Sequence, residues 1–157
     1  MDDRISTGIT ALDEKIGGLH QNEVTLVWSV EYSVVKKVVQ RICVNNETKI
    51  TSQALYDFQL TDLMADLVES KSKVIIMVDA DAWIKYPSEM SVGIGDFVAL
   101  CKEQNVCIVF VLSGVNDIPH GYVEYCDNVL LCYDNPPRVV VTKIHGALSH
   151  GNLSFGI

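Results

Sequence analysis

Positive charge is scarce in this chain. Of its 157 residues, 12 are lysine or arginine against 20 aspartate or glutamate, a formal net charge of −8. The arginines are Arg4, Arg41 and Arg138. Non-specific nucleic-acid binding depends on lysine and arginine neutralising phosphates, so this balance disfavours it. Long apolar runs are missing too. Val74–Val78 and Cys107–Leu112 are strand-length, far short of the roughly 20 residues of a membrane span. The acidic, polar opening MDDRIST is no signal peptide. There is no CxxC pair, and the five cysteines (Cys43, Cys101, Cys107, Cys126, Cys132) are odd in number. They read as reduced core thiols of a cytoplasmic protein. Linkers, repeats and low-complexity segments are lacking, which predicts one domain over residues 1–157.

What is present is globular: 48% hydrophobic and 20% charged residues, enough for a sizeable core. RISTGITALDEKIGG predicts a short helix around Ile9–Ile16, capped by Ser6 or Thr7 and stopped at Gly17–Gly18. Leu19–Glu23 reads as a polar turn. Val24–Ser29 has strand composition with little alternation, so both faces are expected to be covered. From Tyr32 to about Val44, apolar residues recur at helical spacing, with Lys36, Lys37, Gln40 and Arg41 on the other face. Asn45–Gln53 is a polar connection with a short strand at Lys49–Thr51. A second helix is expected over Gln59–Ser70, and a strand over Val74–Asp79. Ala80–Glu89 reads as a loop and Ser88–Gln104 as a third helix. A buried strand follows at Cys107–Leu112, ending at Ser113–Gly114.

Asp117–Tyr125 predicts a turn and a short helix. Strands Asn128–Tyr133 and Arg138–Lys143 are joined by the turn Asp134–Pro137. Ile144–Gly151 reads as a second glycine-bounded turn, and Asn152–Phe155 as a last short strand. Helices between the early strands and hairpins at the end predict an α/β fold. Its central sheet is mostly parallel, flanked by helices, with an antiparallel C-terminal hairpin.

The junction VTLVWSVEYSVVKK, Val24 to Lys37, runs from a buried strand directly into a helix. Three features around it resemble the RecA-like motor domain of DnaB-type replicative helicases. The entry STGITALDEKIGGLHQNEVTLV fits that family's TG-x₃-LD-x₃-GGL-x₂-G-[ED] pattern at Thr7, Gly8, Leu12, Asp13, Gly17, Gly18, Leu19 and Glu23, with Asn22 replacing a glycine. KVIIMVDADAW is similar to the Walker B strand, with Asp79 at the magnesium-side aspartate. FVALCKEQN, VCIVFVLS, YVEYCDNVLLCY and KIHGALSHG follow the remaining pattern in order. RadA- and KaiC-type ATPases share the opening. The resemblance covers nearly the whole chain and implies a RecA-like P-loop NTPase fold.

The departures concern chemistry. A working P-loop needs glycines, a lysine on the phosphates and a hydroxyl on Mg²⁺. Val30–Lys36 offers VEYSVVK instead. Lys36 or Lys37 is either a displaced phosphate lysine or a solvated pair on a helix face. The family's extra strand ending in a catalytic glutamate has no counterpart pattern ahead of Val74. Ser113 stands where the family has a γ-phosphate-sensing glutamine. His145 stands at the trans-acting arginine of the terminal hairpin, leaving Lys143 of that pair. Lys36, Lys37, Asp79 and Ser113 are thus vestigial nucleotide-binding positions, and Lys143 and His145 a candidate subunit or partner interface.

The histidines His20, His120, His145 and His150 match no zinc spacing and read as scattered surface residues, so no metal is expected. The resemblance implies a catalytically inactive homologue without cofactor. It would bind a RecA-like helicase or recombinase, or itself, in DNA replication or recombination. Two other readings stand beside it. One is a diverged NTPase holding ATP and Mg²⁺ weakly through Lys36 or Lys37 and Asp79; the other is a non-hydrolysing single-stranded DNA-binding protein.

Overall fold

The computed structural model describes residues 4–45, 48–51, 74–77, 94–113 and 120–157. Arg4–Ile5 (β1) pairs antiparallel with Leu19–His20 (β2), and Thr10–Ile16 (α1) lies between them. Helix α1 stops at the expected glycines. Gly17 has φ +78 and donates its N–H to the Asp13 carbonyl, and Gly18 follows at φ +84. That left-handed backbone suits glycine. The start of α1 differs from expectation, because Ile9 occupies the cap position with no side-chain bond. The Ser6 and Thr7 hydroxyls instead donate to the Asp13 carboxylate, each at 2.7 Å, and the Thr7 N–H adds a bond of 2.9 Å. An ionised acceptor makes the stronger bond, so Asp13 captures both hydroxyls. The turn expected over Leu19–Glu23 shrinks to residues 21–22, since Leu19 is fully buried and His20 pairs with Arg4.

The main sheet follows. Val24–Ser29 (β3) leads to Tyr32–Asn45 (α2), Thr48–Thr51 (β4), Val74–Met77 (β5), Ile94–Glu103 (α3) and Cys107–Ser113 (β6). His120–Tyr125 (α4), Asn128–Tyr133 (β7), Arg138–Ile144 (β8) and Ala147–Gly156 (β9) complete it. The strand order is β4-β5-β6-β3-β7-β8-β9. Strands β4 to β7 run parallel, and β7, β8 and β9 are antiparallel. The fold is therefore α/β, with a mostly parallel core, antiparallel C-terminal strands and helices packed on the sheet.

Alternation along β3 explains why its whole length is buried. Val24, Leu26 and Trp28 face one core with Phe97, Val98 and Cys101 of α3 and Tyr122 of α4. Val27 faces the other core with Val34, Val35, Val38 and Ile42 of α2, and with Ile5, Leu12 and Leu19 of the N-terminal unit. Each of these fully buried branched side chains contributes about 1.5–3 kcal/mol relative to an exposed one.

One sequence expectation holds here and another needs correction. Strand β4 does lie between α2 and β5, paired in parallel with β5. This is the short strand expected at Lys49–Thr51, beginning one residue earlier at Thr48, and Ser52 and Gln53 follow it in the sequence. The last strand is also longer than Asn152–Phe155. His145 and Gly146, at φ +49 and +84, make a two-residue turn, so β9 pairs with β8 from Ala147 onward. Two consecutive positive-φ residues match the right-handed twist of a tight hairpin, and histidine at the first of them hides that turn from a glycine-based reading. The helix at Gln59–Ser70, the loop Ala80–Glu89 and Asp79 lie outside the described residues.

Candidate functional site

Two clusters sit at opposite ends of β3. At the C-terminal end Ser29 and Ser113 are register partners, which places Ser113 beside the β3–α2 junction. The Glu31 N–H donates to Ser29 Oγ at 3.1 Å, folding the chain back sharply. Val30 is 50% exposed and Glu31 is exposed. Lys36 and Lys37 are exposed on the outer side of α2, while Val34 and Val35 are buried beneath it. A hollow of about 280 Å³ opens here among Trp28, Ser29, Glu31, Tyr133, Asp134 and Asn135. The ionisable acids lining it are Glu31 and Asp134. Arg138 lies nearby but is engaged, its guanidinium 5.0 Å over the Tyr133 ring and donating to the Pro136 carbonyl at 3.2 Å. A phosphate placed in this mouth would meet like charge from Glu31 and Asp134, with Arg138 as the opposing charge nearby.

The N-terminal end holds the denser chemistry. Glu23 immediately precedes β3 and is only 8% exposed. Its carboxylate accepts from the His20 N–H at 2.8 Å and from Asn128 Nδ2 at 3.3 Å. His145 Nδ1 lies 2.9 Å from both Glu23 oxygens, and His145 Nε2 lies 2.9 Å from the Ile16 carbonyl. Asn128 completes the network. Its Nδ2 also donates to Thr25 Oγ1 at 3.1 Å, and its Oδ1 accepts the His145 N–H at 2.9 Å. A buried carboxylate is tolerable because every side of it is met by a donor.

Both partners of the His145 ring are acceptors only, so satisfying them requires the doubly protonated imidazolium. Burial of the ring opposes that charge. The Ile16 carbonyl, the Glu23 hydrogen bond and the Glu23 charge favour it, Arg4 opposes it, and the balance raises the His145 pKa above its ordinary 6.5. The His20 ring stacks on His145 with centroids 4.1 Å apart and planes 15° from parallel.

His20, Glu23 and His145 place their ligand-type atoms within 4.8 Å of one another. These two histidines are therefore not scattered, which corrects the sequence expectation. Chain separation hid the contact, since Glu23 and His145 stand 122 positions apart. The stack nonetheless disfavours a shared metal. One ion cannot lie in the planes of two nearly parallel imidazoles, so coordination by both would require His20 to swing away and His145 Nδ1 to lose its proton. As arranged, the cluster is equipped to hold and release a proton.

Lys143 and His145 are both tied to their own chain, Lys143 Nζ donating to the Val123 carbonyl at 3.1 Å. The matched positions of the entry motif turn out to serve the architecture. Thr7 and Asp13 bond each other, Gly17 and Gly18 supply left-handed backbone, Leu12 and Leu19 are buried, and Glu23 holds the network. Asn128 and Asp127 were missed by the sequence reading. Asp127 accepts the Val24 N–H at 2.9 Å and pairs with Lys102 at 3.2 Å, and a lone Asp-Asn before a strand carries no signal of this. Burial pushes the thiols of Cys101, Cys107, Cys126 and Cys132 up to about 12, in keeping with inert core residues.

Among the described residues no helix is long and apolar enough to cross a membrane. Neither the models of known protein families nor the curated proteins searched match this chain.

Proposed function

We propose that this chain is a catalytically inactive relative of RecA-like, DnaB-type ATPases, acting as a protein-binding or regulatory module in DNA replication or recombination. Its partner is a RecA-like helicase or recombinase, or a second copy of itself. One observation carries the reading: the mouth at the C-terminal end of β3 is acid-lined, with Glu31 and Asp134 at the hollow and Lys36 and Lys37 out on the helix face. The parallel core with β3 at its centre, and a strand at the β4 position, also favour it.

Mg-ATP and Mg-GTP at millimolar concentration test the reading in a thermal-shift titration. The melting temperature is expected to stay constant, whereas a ligand at about 100 times its Kd adds about 2.7 kcal/mol. A concentration-dependent rise overturns the inactive-module reading. Mixing with a purified DnaB-type helicase on a sizing column tests the partner: co-elution supports it, and separate elution of an unchanged helicase peak and a monomeric peak of this chain counts against it.

A further inference from the structure

We propose that His145 is a proton-operated latch: as an imidazolium it ties the β8–β9 turn both to Glu23 and to the end of α1, and loss of one proton releases one of those ties. His145 Nδ1 faces a carboxylate at 2.9 Å and Nε2 faces a backbone carbonyl at 2.9 Å. A neutral imidazole has one N–H, so it serves Glu23 or Ile16 and presents a lone pair to the other. Either outcome sets an acceptor against an acceptor in a partly buried site.

The latch sits in the two-residue turn between β8 and β9. His145 itself is in the left-handed region at φ +49, a conformation that costs a non-glycine residue free energy. Its N–H is anchored to Asn128 Oδ1 and the Gly146 N–H to the Asp127 carbonyl at 2.8 Å. The ring thus joins the C-terminal hairpin to the N-terminal unit across the base of β3, and the same proton decides how firmly.

Among the described residues, charged groups surround the His145 ring from several elements. Glu23 stands ahead of β3, Arg4 comes from β1, and His20 from β2 stacks on the ring. From β7 the neighbour is neutral Asn128. The Asp127 carboxylate is occupied by the Val24 N–H and Lys102, and Lys143 on β8 by the Val123 carbonyl. Glu23 is the carboxylate in direct contact, and it stabilises the charged ring.

Isotope-labelled full-length protein tests the latch by nitrogen-15 NMR of the histidine rings. At pH 6 both ring nitrogens of His145 are expected to be protonated, with a titration midpoint above 6.5. The variant H20A, which removes the stacked ring, assigns the signal. The Gly146 amide is expected to shift with the same midpoint. Its hydrogen-exchange protection, corrected for intrinsic rate, should fall about tenfold for each unit by which that midpoint exceeds 6.5. E23Q should lower the midpoint. A single protonated ring nitrogen at pH 6, a midpoint at or below 6.5, or Gly146 protection that is flat through the transition overturns the proposal, and the wild-type data alone decide it should E23Q not fold.

Discussion

Glu23 shows at the scale of one residue how a matched motif position can be a structural one. Its carboxylate is buried because His20, Asn128 and His145 supply donors from three separate parts of the chain. E23A leaves those donors facing an apolar gap and is expected to cost roughly 3 kcal/mol in urea unfolding, the cost of breaking a buried pair one-sidedly. Asn128→Ala should cost about 1–3 kcal/mol by stranding the His145 N–H. Thiol chemistry offers a check on the core. Cys101, Cys107, Cys126 and Cys132 are buried with pKa values pushed up to about 12, so a thiol reagent at pH 8 should leave them unmodified until the protein is unfolded. Rapid labelling of all five cysteines in native protein would contradict that packing.

At the scale of the element, periodicity was a good guide and local chemistry a weaker one. The stripe of Val34, Val35, Val38 and Ile42 announced α2, and the strand composition of VTLVWS, with little alternation, announced a β3 covered on both faces. Ile42→Ala should therefore cost about 2–5 kcal/mol. Turns were harder to read, because two left-handed positions can look alike in sequence and differ in surroundings. At Gly18, φ is +84 and an added Cβ would meet the Ile5 carbonyl oxygen at 3.0 Å. At Gly146, φ is also +84 but nothing lies within 4 Å. Gly18→Ala should thus cost about 2–4 kcal/mol and Gly146→Ala only about 1 kcal/mol. Equal losses in parallel urea titrations would show that the β1–β2 ribbon yields to the extra methyl.

At the scale of the whole molecule, His145 couples stability to pH. Its folded pKa lies above its unfolded one, so its contribution is fully present below pH 6.5 and is lost as pH rises through the folded value. Melting temperature should accordingly fall from pH 6 toward pH 8.5, and H145Q should remove that slope; an unchanged slope in the variant assigns it to other groups. The sequence by itself determined the α/β class, the helical and strand periods, the buried cysteines and the absence of a glycine-rich phosphate loop. Each of these is a property of neighbouring residues or of composition. Only the tertiary structure decided that β4 joins the sheet, that His145 and Gly146 form a two-residue turn, and that His20, Glu23, Asn128 and His145 make one network. Those contacts pair residues as far apart as Glu23 and His145, and pairing across such separation depends on strand order and register, which no local pattern encodes.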